Sequence, residues 1–289
     1  MKLYENIRAR RITLKMTQQE LVAKLGYKST STIAKIESGE NDIPQLKIVA
    51  FARALETMPG ATRKIPTDLM LREGISQGRV FAGMTMPEYE RFVKKAMQAP
   101  AEGLKNLRHG DAFYLPMVEV LSYLRANRFK TFIVSASDRQ TVRILADGAL
   151  PVDMDNIIGT DIFHVASHQG GTPSPDYTFT QDDEILRGGF ASFNMKMNKV
   201  ANIVREIGKQ PVLAFGNSSG DAGMFNYTIT RNKHKALAFS LLCDDLVREL
   251  GSKEKSEKMR AACEEFGWIP ISMRDDFKTI YGDRVTREK

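Results

Sequence analysis

Between residues 17 and 44 the chain is punctuated at short intervals: TQQELVAKLGYKSTSTIAKIESGENDIP. Signals this dense allow only short helices and fix where they start and stop. Thr17-Gln-Gln-Glu20 has capping-box spacing, in which a hydroxyl and a carboxylate reciprocally satisfy free amides at a helix start. A helix is therefore predicted from about Thr17, with Leu21, Val22 and Leu25 on its apolar face. Gly26 supplies the permissive backbone of a turn, and a second helix over Ser29 to Glu37 turns Ile33 and Ile36 inward before Gly39 ends it. Pro44 opens a third helix whose Ile48, Phe51, Ala52 and Leu55 form another inward stripe. The helical pattern as a whole runs from Leu3 to Leu55.

Two short helices around a tight glycine turn, packed between further helices, form the arrangement that lays one helix in the DNA major groove. Here that helix is Ser29–Glu37. Thr30, Ser31, Thr32 and Lys35 lie off its core side, able to reach base edges or phosphates, and Lys28 adds a cation just before it. Gln18, at the start of the preceding helix, is placed to hold a phosphate with the helix amides. On periodicity alone, a helical bundle with polar faces and no DNA remains open.

Charge bears on that choice. The 289 residues carry a net +7, yet residues 1–64 hold twelve Lys and Arg against six acids, so +6 of the total lies in the first segment. A basic small segment beside a near-neutral larger one suggests that the first meets a polyanion, although a solvated basic face would give the same count. Hydrophobic residues at 42% and charged ones at 27% suit a soluble globular chain long enough for two domains. No run approaches the ~20 apolar residues of a membrane span, and MKLYENIRARR lacks the apolar core of a signal peptide, so a cytoplasmic location is expected. Cys243 and Cys263 stand far apart outside any CxxC spacing and are expected to be buried thiols, in neither a disulfide nor a zinc site.

The stretch MTQQELVAKLGYKSTSTIAKIESGENDIPQLKIVAFARALE resembles the helix-turn-helix of the phage-repressor type, the Xre/Cro/CI family. Its TQxEL opening, I-x-x-I-E-x-G ending and following IP carry the resemblance. The resemblance implies double-stranded DNA as partner, a phosphate-contacting role for Gln18 and base-facing roles for Thr30, Ser31 and Lys35. A homodimer is expected because one small helix-turn-helix usually needs a partner half-site. The domain is assigned to residues 1–58, and the looser TMPGATRKIPT stretch places a linker at 59–79.

From about residue 112 helices alternate with apolar strands. Pro116 begins a helix with Met117, Val120, Leu121 and Leu124 on one face; TFIVS (131–135) is a strand; 138–147 is a helix; and NIIGTDIF (156–163) is a strand. Lys199–Ile207 is a helix stopped by Gly208, and PVLAF (211–215) and ALAFSL (236–241) are strands. The alternation predicts a parallel, doubly wound sheet with its sites at the carboxyl ends of the strands. Ser135 ends one strand, Lys199 opens a helix, and Asn217 and Asp221 follow another strand. A hydroxyl, an ammonium and a pair of oxygen ligands in that order suit phosphate chemistry with Mg²⁺. Singly, each has a plain reading as turn residue, surface charge or helix cap.

That ordered set resembles the second, third and fourth motifs of haloacid-dehalogenase-like (HAD) hydrolases over most of residues 80–283. FAGMTMPEYERFV resembles part of a cap helix, YLPMVEVLSYLRANRFKTFIVSASD the approach to the second motif, and NMKMNKVANI with QPVLAFGNSSGD the third and fourth. LLCDDLVREL and GWIPISMRDDFKTIYG resemble the end of a bacterial branch of these phosphatases that acts on small phosphomonoesters. The resemblance implies a HAD-like domain over 80–289 with a partial cap at about 82–112, catalytic roles for Ser135 and Lys199 with Lys196 as runner-up, and a Mg²⁺ site at Asp221 and Asn217.

One part is missing. The family's nucleophile lies in a DxD after the first strand, and upstream of residue 80 the chain has only Asp42 and Asp68. Asp153-Met-Asp155 has the letters in a helix-to-strand connection and is rejected as the nucleophile. Without it the covalent route is lost, the Ser135, Lys199, Asn217 and Asp221 set is vestigial, and no cofactor is expected unless Mg²⁺ serves residual activity. The missing strand would also leave TFIVS and PVLAF without a shared neighbour. Either they close together, another segment such as GRVFAG fills the place, or the domain is unstable.

The expected architecture is thus a small all-α helix-turn-helix domain followed by an incomplete, HAD-like doubly wound parallel sheet. The expected function is a repressor-type regulator whose second domain serves dimerisation or senses a phosphorylated small molecule. A working Mg²⁺-dependent phosphomonoester phosphatase, and a fusion without evolved function, are the alternatives. His164 and His168, in HVASHQGG, are read as non-ligands.

Overall fold

In the computed structural model the chain divides into two compact units, Met1–Arg72 and Glu73–Lys289. The residues described are 3–41, Ala54 and 80–288. The predicted helix after Pro44, with Ile48, Phe51, Ala52 and Leu55, and the linker at 59–79 lie outside them, except that Ala54 is helical and buried.

The first unit contains α1 (Leu3–Thr13), α2 (Gln18–Leu25) and α3 (Thr30–Ser38). Thr17 accepts from the Glu20 amide while Glu20 accepts from the Thr17 amide at 2.7 Å, the reciprocal box that the spacing predicts. Gly26 (φ 67°) and Gly39 (φ 81°) end α2 and α3 in the left-handed region, where a side chain would be strained. Ser29 caps α3 by accepting from the Ser31 amide. Ile7, Met16, Leu21, Leu25, Ile33, Ile36 and Ala54 form the core, with Leu14, Val22 and Tyr27 against it. Each of the large members gains ~1.5–3 kcal/mol by burial, more than local helix propensity contributes to helices this short.

The second unit begins its described part with α4 (Met86–Ala96), capped by a Thr85–Glu88 box and burying Tyr89 and Val93. β1 (Leu104–Lys105) pairs antiparallel with β8 (Thr286–Arg287). Then follow α5 (Leu115–Ala126), β2 (Ile133–Asp138), α6 (Arg139–Ala146), β3 (Ile157–Ala166) and β4 (Ile185–Ser192). The rest comprises α7 (Met197–Asn202) continued by a π-helical turn over Ile203–Ile207, β5 (Leu213–Gly216), α8 (Ala222–Ile229), β6 (Leu237–Leu242), α9 (Lys253–Phe266) and β7 (Ile269–Ser272).

A single parallel sheet was expected; the described strands instead form two three-stranded sheets and the β1–β8 pair. β5, β6 and β7 are all parallel, as the alternation predicts. β2 and β3 are also parallel, but β4 returns antiparallel to β3. The reason lies in the connection: HQGGTPSPDYTFTQDD is rich in Gly, Pro and polar residues, and a parallel return needs a crossover, usually helical, that it cannot supply. Among the described residues β2 has a strand neighbour only in β3, and β5 only in β6, so these two edges neither pair with each other nor share a described strand. Val80 to Gly83, from the GRVFAG stretch, is a helix end and a turn, which removes those residues as the filling strand.

On α5 the residues of the predicted apolar face, Met117, Val120, Leu121 and Leu124, are partly buried, and no residue of the helix is fully buried. Two apolar clusters dominate this unit: Ile203, Ala214, Phe225, Ala238 and Trp268, and Leu241, Met273, Phe277 and Ile280, against which Met117 of α5 packs.

Candidate functional site

In the first unit α3 presents its polar side outward. Lys28, Ser29, Thr30, Ser31, Ala34, Lys35 and Ser38 are exposed, Thr32 is half-exposed, and Ile33, Ile36 and Glu37 are buried. Ser31 is partly committed, since its hydroxyl lies 2.8 Å from that of Ser29. Sequence reasoning named Thr30, Ser31, Thr32 and Lys35 but missed Ala34, an exposed apolar position between polar ones that carries no signal of its own.

Behind α3 a buried ion pair sets its angle to the rest of the unit. Arg11, on α1, donates through Nε to Glu37 Oε1 at 2.6 Å and through Nη2 to Oε2 at 2.9 Å, a bidentate fork. A third donor, Nη1, reaches the Met16 carbonyl at 2.8 Å, just ahead of the Thr17 cap. Gln18 Nε2 also donates to Glu37 Oε2, at 2.9 Å. The Gln18 amide nitrogen, expected at a phosphate, is therefore engaged on the carboxylate and locks the start of α2 to the end of α3. The Arg11 and Glu37 side chains are 13% and 3% exposed. Burial pushes the Glu37 carboxyl up, but the hydrogen bonds from Arg11 and Gln18 pull it down further, and it lies below the usual range.

This is a short helix, a left-handed glycine turn and a second helix with one polar face free, rigidly held from behind. Residues 7–58 match the helix-turn-helix family model. The chain therefore contains a helix-turn-helix domain, which supports a DNA-binding regulator. Among curated proteins, none matches the chain. No helix among the described residues is long and apolar enough to cross a membrane.

In the second unit three of the sequence-predicted residues meet. Lys199, in the first turn of α7, donates through Nζ to Asp221 Oδ1 at 2.7 Å and to the Val134 carbonyl of β2 at 2.6 Å. Asp221 Oδ2 accepts from the amides of Asn217 and Ser218, at 3.2 and 3.1 Å, and from the Ser218 hydroxyl at 3.0 Å. A Cβ at Gly216 would stand 2.7 Å from that carboxylate, so β5 can end here only on glycine. Asn217 turns its side-chain nitrogen to the Tyr114 hydroxyl at 3.1 Å. Ser135 does not end its strand as expected, because β2 continues to Asp138; it lies next to Val134 within β2, its hydroxyl accepting from the Ser137 amide. Lys196 is exposed and caps α7 with φ 50°, so Lys199 is the lysine brought into the cluster.

Sequence reasoning missed the polar floor of this cluster. Asn194, fully buried, donates to the Ser135 carbonyl at 2.8 Å and accepts from Asn202 Nδ2 at 3.0 Å. Its amide donates to Thr160 Oγ1, which in turn donates to the Ala136 carbonyl at 2.6 Å. Isolated asparagines and a threonine in apolar surroundings gave no spacing to read.

The cluster does not fit Mg²⁺. That ion demands near-octahedral oxygen ligation, whereas both Asp221 oxygens are filled by an ammonium and three other donors. Among the described residues no group of three or more His, Cys, Asp or Glu could hold a metal ion. Asp153 and Asp155 sit in the turn before β3, Asp153 facing Arg125 at 3.3 Å on the surface. His168 lies 3.1 Å from Asp183, and burial lowers the His164 imidazole below its usual value. Of the two thiols Cys263 is buried, as expected, while Cys243 is only partly so, and burial raises both.

Proposed function

We propose that the chain is a sequence-specific, repressor-type regulator that binds duplex DNA as a homodimer, with a second unit descended from a HAD-like phosphatase that no longer catalyses. The observation carrying the first part is the polar, exposed face of α3, flanked by Lys28 and Lys35 and held from behind by Arg11 and Glu37. The net charge concentrated in residues 1–64 supports it, because phosphate contacts supply most sequence-independent affinity. Dimerisation follows from the small area one such unit can offer a duplex. A mobility-shift titration of the full chain on an enriched duplex and on a scrambled one, at two stated salt concentrations, tests this. Equal affinity for both duplexes at each salt would refute it.

The lysines give a second expected result. Each phosphate contact contributes roughly −0.9 to the slope of log K against log salt. The Lys28→Ala and Lys35→Ala double variant should therefore bind more weakly and show a shallower slope. An unchanged slope would remove both from the phosphates.

Descent from a phosphatase is supported by Lys199 joining Asp221 to the Val134 carbonyl of β2, one residue before Ser135. The loss of catalysis is supported by the absence of a DxD upstream of residue 80 and by the saturation of Asp221. No Mg²⁺-dependent phosphate release above a no-enzyme control is expected across a phosphomonoester panel. Turnover abolished by Asp221→Ala would establish the enzyme instead. In this reading the second unit serves dimerisation or binds a phosphorylated small molecule.

A further inference from the structure

The exposed side of α3 is unusual in what it lacks. Adenine is read in the major groove by the paired donor and acceptor of Asn or Gln, and guanine most often by the fork of Arg. None of these residue types occurs in Thr30–Ser38. The helix offers Thr30, Ser31, Ala34, Lys35 and Ser38 instead, with Thr32 half-exposed, and the Ser38 hydroxyl is engaged by the Lys35 carbonyl and Glu40. Ser31 already shares a hydrogen bond with Ser29. Lys35 is a single point charge that can meet a guanine edge or a phosphate. What remains to face the bases is short: half-exposed Thr32, the Thr30 hydroxyl, and two methyls one turn apart, those of Thr30 and Ala34. Residues four apart lie on one side of a helix about 5–6 Å from each other, a span covering neighbouring base pairs at 3.4 Å spacing. Short side chains also let the helix approach the groove floor closely, where the thymine C5-methyl projects and both Ala and the Thr methyl make good contact with it.

We infer that this domain reads its operator chiefly through the 5-methyl groups of thymines facing Thr30 and Ala34, with Lys35 beside them on a guanine or a phosphate. The inference rests on the DNA-binding reading above and adds the chemistry of recognition to it. Hydrogen-bonding pattern alone then does not define the site: uracil, which keeps every hydrogen-bonding group of thymine, is a poor substitute, and 5-methylcytosine carries a methyl at the same place in the groove.

The test uses the full chain and a duplex enriched from a random pool at stated salt. Each thymine of the enriched site is replaced in turn by deoxyuridine. At one or two positions per half-site Kd should rise roughly fourfold, the worth of one buried methyl-sized group. At the position facing Thr30 the effect should vanish in Thr30→Ser, which removes only a methyl from the protein. At the position facing Ala34 it should vanish in Ala34→Gly. A merely structural role for either residue would weaken binding to both duplexes equally and leave the uracil effect intact. That outcome overturns the assignment, as does an enriched site tolerant of uracil at every thymine, while leaving DNA binding itself standing. Failure to enrich any sequence would instead remove the DNA-binding reading.

Discussion

Replacing Arg11 by alanine is expected to unfold the helix-turn-helix unit and abolish DNA binding, although Arg11 need touch no DNA. The substitution strands the Glu37 carboxylate at 3% side-chain exposure with Gln18 as its remaining hydrogen-bond donor among those seen here. Removing one member of a buried pair costs about 3–5 kcal/mol, a large fraction of the ~5–15 kcal/mol that holds a domain folded. The Met16 carbonyl loses its donor as well, just where α2 is capped. Hydrogen exchange of peptides covering α2 and α3 reads the effect locally, and protection equal to the parent chain would overturn the prediction.

The same pair makes a pH prediction. Glu37 titrates below its unfolded value, since the hydrogen bonds from Arg11 and Gln18 outweigh the burial that opposes them. A carboxyl with a depressed folded pKa contributes stability above the unfolded pKa, ~4.3, and that contribution is lost as pH falls through the folded value. Protection of α2 and α3 should therefore decline as pH drops below about 4.3 in the parent chain. In Glu37→Gln protection should be lower at neutral pH, and the part of the decline due to this group should disappear.

How much of this was readable in advance depends on whether the signal was local. α2 and α3 were placed within a residue or two because Thr17, Glu20, Gly26, Ser29 and Gly39 each act on neighbouring backbone. The Arg11–Glu37 pair spans 26 residues and follows no period, so Glu37 read as an ordinary helix-end residue. In the second unit, β2, β3, β5 and β6 stood out as compact apolar runs. β4 did not, because Gly188 and Gly189 interrupt it and its antiparallel return depends on a polar connection. α9 was missed because KEKSEKMRAACEEF is charged almost all round and buries only Ser256 and Cys263. Lys199 and Asp221 were legible as an ordered set of residue types. Their direct pairing was not, because it depends on α7 and the turn after β5 meeting in space.

That pairing supports the other large effect: Lys199→Ala should strongly destabilise the second unit. Lys199 and Asp221 are 7% and 9% exposed in their side chains, so the variant leaves an uncompensated carboxylate in the interior. It also frees the Val134 carbonyl of β2 from its donor, and with it the one side-chain bridge from β2 to the turn after β5 among the described hydrogen bonds. A cost of about 3–5 kcal/mol is expected, which for a unit of this size lowers the melting temperature by roughly 6–20 °C. Removing both charges separates burial from bonding. In the Lys199→Met, Asp221→Asn double variant no charge is stranded, and the asparagine oxygen still accepts from the 217–218 amides, so the double variant should melt above Lys199→Ala. Calorimetry of the two variants and the parent full chain decides it. A double variant melting no higher than Lys199→Ala would show that the bridge to Val134, rather than the buried charge, dominates; a Lys199→Ala chain melting with the parent would dismiss the structural role of the pair altogether.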